Sequence, residues 1–247
     1  MIVAKGEQRA QPFKEFISSL STCFYKRFNV HFCVCHYSQA DYHPQLFDSF
    51  EIEKPMRIIQ SVATRQAEFL AGRYAAKCAL SKLGVREHQV RSGRERVPLW
   101  PDNTLGSISH TADIAISVVS ERASNVVLGV DIEPIMRLET AYDIAQIVMS
   151  GEEQCFFDER NIPIEVATTL TFSAKESLFK AIYPFVGVYL EFDASQVVFL
   201  DTAARCFQLK LCPELCVKVP GGGVFDGIYF EYRGHLITLI YQFNELH

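Results

Sequence analysis

Hydrophobic positions recur along this chain with two periods, and the changes of period divide it into elements. Between residues 64 and 83 the apolar side chains Leu70, Tyr74 and Cys78 return every four positions, with Phe69 beside the first, which predicts a helix with one buried face. Gly84 then supplies a residue free to adopt the left-handed backbone that closes a helix. After a polar loop and the segment around Pro98 and Pro101, residues 106–110 lead into a strand in which Ile114, Ile116 and Val118 alternate with smaller residues. Residues 120–125 are polar and predict a turn, and Val126, Val127, Leu128, Val130 and Ile132 predict a buried strand. A helix near 141–149 and another closed by Pro184 come next, followed by strands near 196–200, 207–211, 227–232 and 235–243. Ahead of all these, the pattern predicts a short helix over 13–20, a strand over 29–37, and loop and turn over 41–55. The class is α+β, with mostly antiparallel strands in the last third.

Acidic residues interrupt two of the apolar runs. The period of two on the strand sends Asp131 and Glu133 to one face, so their carboxylates converge. On the helix, Phe172, Glu176, Phe179 and Tyr183 fall on one stripe, which predicts that Glu176 faces the interior among aromatic rings. A buried carboxylate without a partner costs several kcal/mol. Three of them suggest Mg2+, a hard cation that takes oxygen ligands and keeps room for water and phosphate. Lys175 and Lys180 flank Glu176 and could hold that phosphate, while Arg73 and Lys77, four apart, share a helical face, with Arg65 a little over two turns earlier and about eighty degrees around. Taken singly, Asp131 and Glu133 would suit a salt bridge or a solvated strand end, the basic helix face would suit solvent, and His110 would suit a structural hydrogen bond.

Composition narrows the class without naming it. The 247 residues carry a net charge of −5 and no block of like charges, which excludes the basic stripe of a nucleic-acid binder. The first residues mix Lys5, Glu7, Arg9 and Lys14 with no apolar run long enough for a signal or a membrane span, so the expectation is a cytoplasmic protein. Eight cysteines in a chain of this length are expected as free thiols. His31, Cys33, Cys35 and His36 lack the C-x2-C spacing of a zinc site, and the two cysteines belong to the apolar alternation of a strand. Gly221 to Gly223 has no Lys-Ser/Thr after it and reads as a hairpin or surface loop rather than a phosphate loop.

The spelling of the motifs goes further. GVDIE, ending at Glu133, and FSAKESLFKA, opening at Phe172, resemble the paired signature of the Sfp-type 4'-phosphopantetheinyl transferases, (V/I)G(V/I)D(x)E and (W/F)(S/C)xKE(S/A)xxK. Upstream, RQAEFLAGRYAAKCAL from Arg65, RVPLWP from Arg96 and GSISHT from Gly106 are similar, in order, to blocks of the branch that holds enterobactin synthase component D. The resemblance implies a pseudo-twofold pair of similar α+β halves with the active site between them, here 1–123 and 124–247. It also implies transfer of the phosphopantetheine arm of coenzyme A to a serine of an apo acyl, peptidyl or aryl carrier protein, by a monomer.

Carried over by position, the resemblance makes Asp131, Glu133 and Glu176 the Mg2+ ligands. Glu176 is its first choice for activating the serine and Glu133 the alternative. Arg65, Arg73 and, more weakly, Lys77 match cations at the 3'-phosphate. Ser109 and His110 match phosphate contacts, Lys175 and Lys180 reach the pyrophosphate and the 3'-phosphate side, and Arg96 and Pro98 lie under the adenine. The chain departs from the family pattern at Asn103, where a glycine is usual, and at Phe172, where tryptophan is common. Asparagine is the next most tolerant residue for a left-handed turn, so the turn at 103 is expected to persist. The rival of another class is a carrier-binding protein of the same fold without catalysis, which would have lost an acid or the central lysine.

Overall fold

The computed structural model describes residues 15–93, 97–220 and 222–243. Its packing divides the chain after Asn125 into two compact units. In the first, the strands are β1 (Ile17–Tyr25), β2 (Val30–Tyr37), β3 (Arg91–Ser92), β4 (Pro98–Leu99), β5 (Thr104–His110) and β6 (Ile114–Glu121). The helices are α1 (Leu46–Ser49), α2 (Met56–Ile59) and α3 (Ala63–Leu83). Four strands pair antiparallel in the order β1-β2-β6-β5, and β3 pairs with β4. The long helix α3 lays Leu70, Ala71, Ala75 and Ala79 over Cys33, Cys35, Ala115 and Val119 of the sheet. Small side chains let helix and sheet close up: a Cβ added at Gly72 would stand 2.9 Å from Ile108 Cγ2 of β5. Gly84, at φ 83°, caps the helix as the sequence predicts.

The second unit holds β7 (Asn125–Pro134, from Val126 on), α4 (Leu138–Val148), α5 (Gly151–Asp158), α6 (Ile164–Val186), β8 (Ser195–Asp201), β9 (Cys206–Leu211), α7 (Pro213–Cys216), β10 (Val224–Tyr232) and β11 (His235–Phe243). Its sheet runs β7-β11-β10-β9-β8. The 23-residue α6 packs on it through Leu170, Ala174, Leu178 and Ile182, against Val127, Leu209, Phe225 and Ile240. At Gly129 the strand backbone touches the helix: a Cβ there would overlap the Ser177 carbonyl oxygen and stand 2.8 Å from Ala181 Cβ. Buried hydroxyls sew the same seam. Ser173 and Ser177 share hydrogen bonds with Thr238 Oγ1 of β11 at 2.8 and 2.7 Å, and Ser177 Oγ donates to the Thr238 carbonyl at 3.1 Å.

The α+β class and most elements follow the periodicity, with local differences. The helix expected over 13–20 is strand β1 from Ile17 onward, because its serines and β-formers complete a ladder on β2, with Leu20 opposite Cys35; residues 13 and 14 lie outside the described residues. Pro184 does not close α6, which continues to Val186 and ends at Gly187 with φ 66°. A proline in a last turn removes one backbone donor, and the helix tolerates that loss here. The stripe of Phe172, Glu176, Phe179 and Tyr183 lies on a half-buried flank, since the face pressed on the sheet admits only small and aliphatic residues. Finally, 41–55 includes the single turn α1, and α5 follows α4 behind a Ser150–Glu153 capping box.

Because Gly129 is a point of backbone contact, Gly129→Ala should lower the unfolding free energy by about 3 kcal/mol, the scale of an overpacked core. Gly84→Ala meets open space and only the left-handed strain, about 1 kcal/mol. Urea unfolding of both variants checks the order, and equal losses would mean that β7 and α6 can part without cost.

Candidate functional site

In the second unit, β7 and α6 bring acids and one lysine together. Asp131 is 2% exposed, and Lys180 Nζ donates to its Oδ1 at 2.6 Å and to the Val130 carbonyl at 3.4 Å. The end of β7 is held in place by Met136 N–H donating to Thr169 Oγ1 at 3.0 Å and Ile135 N–H to the Gly234 carbonyl at 3.0 Å. Burial pushes the Glu133 carboxyl up to about 7; Asp131 and Glu176 push the same way, and Lys180 opposes them. Glu176 is also raised, by burial first, with Lys180 opposing and Asp131 adding. The three carboxylates therefore feel one another, and one lysine offsets them. They do not form a closed cage: among the described residues no three His, Cys, Asp or Glu side chains have the arrangement of a finished metal site.

Lys175, next to Glu176 in sequence, faces elsewhere. Its Nζ donates to Glu153 Oε2 at 2.8 Å, the Val148 carbonyl at 2.8 Å and the Phe192 carbonyl at 2.9 Å, which uses all three of its N–H bonds. Glu153 in turn accepts from Ser150 N–H at 2.9 Å and Val197 N–H at 2.8 Å. Burial lowers the lysine's affinity for its proton and Glu153 restores part of it. This hub ties α4, α5, α6 and β8 together. The sequence signal for Glu153 was the S-x-x-E spelling that opens a helix.

The cations of the first unit gather around α3. Arg65 Nη1 donates to Glu68 Oε2 at 3.1 Å and lies 3.0 Å from His110 Nε2. The loop after His110 is held by Tyr37 Oη donating to the Thr111 carbonyl at 2.6 Å. Arg73 is 8% exposed, with its guanidinium 4.6 Å from the Phe69 ring centroid and Nη2 donating to Ser92 Oγ at 3.2 Å. Its Nε is buried with no acceptor among the described residues. Burial, then Arg57, then Arg65 lower its pKa to about 10. Arg57 was not expected: it lies on α2, a single turn with no periodic signal. That turn is tethered to α3 by Gln66 Nε2, which donates to the carbonyls of Ile59 at 3.3 Å and Ser61 at 2.8 Å.

Other expected residues take varied places. Pro98 on β4 pairs with Ser92, the acceptor of Arg73, and Ser109 is buried on β5, while Arg96 lies outside the described residues. Lys77 donates to the Phe50 carbonyl at 3.0 Å and Glu51 Oε2 at 2.7 Å, so it staples a loop to α3. Asn103 has φ 60°, and Thr104 N–H closes the turn on the Pro101 carbonyl at 3.1 Å, so asparagine does serve the left-handed turn. Gly106 is bare because Trp100 lies over it, 2.6 Å from where a Cβ would sit.

Comparison with known proteins gives consistent matches. A family model described as 4'-phosphopantetheinyl transferase N-terminal domain matches residues 53–120, and one described as 4'-phosphopantetheinyl transferase superfamily matches residues 127–219. Enterobactin synthase component D of Salmonella typhi is 42% identical over 176 residues, 71% of each chain. The 4'-phosphopantetheinyl transferase Svp of Streptomyces mobaraensis is 31% identical over 76% of each, and PptT of Mycobacterium tuberculosis 32% identical over 60% of this chain and 63% of its own.

The raised Glu133 pKa has a sign that can be tested without substrate. Between the ordinary carboxylate range and about 7, the folded protein holds a proton on Glu133 that the unfolded chain has released. This favours folding at low pH and is lost as pH rises through the folded value. Thermal unfolding in EDTA should therefore show Glu133→Gln more stable than the parent at about pH 8, with the gap shrinking toward about pH 5. A gap that does not narrow with acid would mean that Glu133 is not held protonated.

Proposed function

This chain belongs to the 4'-phosphopantetheinyl transferase superfamily, and we propose that it moves the phosphopantetheine arm of coenzyme A onto a serine of an apo carrier protein, with Mg2+ held by Asp131, Glu133 and Glu176. Adenosine 3',5'-bisphosphate is the other product. The observation that carries the reading is that β7 and α6 bring Asp131, Glu133 and Glu176 together, where burial and Asp131 raise the proton affinity of both glutamates and Lys180, bonded to Asp131, offsets them. The donors are all hard oxygens, the chemistry that suits Mg2+. When bound, the ion neutralises the charge that develops on the leaving pyrophosphate oxygen.

Every other part belongs to the chain's own residues. Asp131 and Glu133, on one face of β7, are the chelating pair. Lys180, already on Asp131, is a mobile point charge that can turn to the pyrophosphate. Glu176 comes from a different element and takes the proton from the serine hydroxyl, with Glu133 second in line. Arg65, Arg73 and Arg57 serve the 3'-phosphate, for which the buried Arg73 Nε is an unused donor in a planar fork. His110 and Ser109 add contacts to the same nucleotide. Lys77 and Lys175, whose donors are committed to carbonyls and carboxylates, are given structural work instead. The relatives named for enterobactin synthesis favour a siderophore-pathway carrier as acceptor. Among the described residues no helix is long and apolar enough to cross a membrane, and we place the reaction in the cytoplasm.

Incubation with coenzyme A, Mg2+ and a panel of apo carriers should give carrier bearing the arm on serine by mass spectrometry. Asp131→Ala and Glu133→Ala should each reduce turnover by roughly 10²-fold or more. A parent protein that is folded yet modifies no carrier would refute the reading. For Glu176→Gln, coenzyme A affinity should stay within about tenfold while single-turnover transfer falls by roughly 10²-fold; transfer near the parental rate would move the proton to Glu133.

The clamp has its own test. Arg57→Ala and Arg73→Ala should raise KM for coenzyme A about tenfold or more, and raise KM for dephospho-coenzyme A far less, since the lost contact is to the 3'-phosphate. Equal losses with the two donors would remove these residues from that phosphate.

A further inference from the structure

Among the cations gathered on α3 stands a carboxylate to which the reaction gives no part, Glu68. A negative charge beside residues that serve a phosphate opposes the ligand, so its presence there needs a reason. Glu68 lies one helical turn beyond Arg65, and its Oε2 is 3.1 Å from Arg65 Nη1 and 3.9 Å from His110 Nε2; the Arg65 and His110 nitrogens are 3.0 Å apart. Three side chains from α3 and β5 thus meet at one point. The Glu68 side chain is 20% exposed, His110 26% and Arg65 41%, so the carboxylate stands behind the cations and an anion arriving from solvent meets Arg65 first. A partly exposed ion pair three residues apart on a helix adds little to stability, and the fold alone gives no strong reason for this one.

The backbone beneath the group is fixed. Tyr42 Oη donates to Gln66 Oε1 at 2.6 Å, and Gln66 Nε2 donates to the carbonyls of Ile59 and Ser61, which anchors the first turn of α3 with Arg65 on it. His110 pairs with Ala115 in the β5–β6 ladder. What the backbone leaves unfixed is the tip of the long Arg65 side chain. Glu68 removes that freedom. By accepting from Nη1 it holds one side of the guanidinium and leaves the Nε and Nη2 N–H groups, which have no acceptor among the described residues, side by side in one plane. Two parallel N–H groups match two oxygens of a phosphate.

Resting on the assignment of coenzyme A as donor, we propose that Glu68 is a positioning residue of the 3'-phosphate clamp: it holds Arg65 by one side so that the other is aimed before the nucleotide arrives. The entropy lost in ordering the arginine is then lost on folding rather than on binding, and the gain appears as affinity for the 3'-phosphate. Position is what Glu68 contributes, and its charge is incidental. An amide oxygen in the same place serves as well, whereas a carboxylate drawn back by one carbon does not.

Calorimetric titration of the intact protein with coenzyme A and with dephospho-coenzyme A tests this. Glu68→Ala and Glu68→Asp should each weaken coenzyme A binding by about tenfold and dephospho-coenzyme A binding by less than about threefold. Glu68→Gln should recover most of the loss. Combined with Arg65→Ala, Glu68→Ala should add less than about twofold, because Glu68 acts through that arginine. With a carrier that the protein modifies, Glu68→Ala should raise KM for coenzyme A and lower kcat by less than about threefold. Circular dichroism shows which variants fold, and the contrast of Gln with Asp decides the matter if Glu68→Ala does not. A selective loss in Arg65→Ala together with equal losses on both donors in Glu68→Asp, or with Glu68→Gln as weak as Glu68→Asp, overturns the proposal and leaves the clamp standing. Equal losses on both donors in Arg65→Ala overturn the two together.

Discussion

The seam between α6 and its sheet is the constraint on which the acidic group depends. Glycine at 129 lets β7 touch the backbone of α6, and Ser173, Ser177 and Thr238 satisfy one another's hydroxyls inside that contact. Hydrogen bonds buried this completely are directional, so they fix rotation as well as distance. A helix resting on leucines alone could roll by a few degrees. This one cannot roll without leaving buried hydroxyls unsatisfied, a cost of about 1–3 kcal/mol for each. Glu176 and Lys180 thereby hold their bearing toward Asp131, and the Lys175 hub on the neighbouring face fastens the same helix to α4, α5 and β8.

The first unit solves a related problem with charge. Burying a guanidinium is expensive, and Arg73 meets part of the cost with the Phe69 ring and the Ser92 hydroxyl while standing near two further arginines. Among the described residues no carboxylate forms an ion pair with its side chain. Lysine could not replace it, because an ammonium offers neither the planar stack on the ring nor a second donor edge. Gly72, one residue earlier, lets β5 approach α3 closely, so the spelling AGR joins a packing requirement to an electrostatic one.

Much of this was legible in the chain. Period-two and helical patterns located α3, β6, β7 and the strands of the last third, because each buries one face against a partner that the pattern itself demands. Asp131 and Glu133 were named from the alternation of β7, whereas Glu176 was named from a helical stripe that lies on a half-buried flank. What the sequence did not disclose was direction around the α6 axis. Phe172, Phe179 and Tyr183 looked like a core stripe by hydrophobicity, yet close packing at Gly129 reserves the core face for Ala174, Leu178 and Ala181. Lys175 reads as a phosphate-holding cation until Glu153 is seen opposite it, a partner far off in sequence. Arg57 gave no signal because a single helical turn has no period. β1 was misread for the opposite reason: a serine-rich segment carries little pattern of its own and takes its form from β2.

The order β1-β2-β6-β5 also has a temporal side. β1 and β2 follow one another and pair at once, but the other edge of β2 waits for Ile114–Glu121, which leaves the ribosome much later. Meanwhile that edge presents unpaired amides along Val30–Tyr37, a segment rich in apolar side chains and able to recruit a strand from another nascent chain. The strand order of the first unit thus gives this protein an interval of vulnerability during synthesis, whose length is set by the speed of translation through α3 and β5.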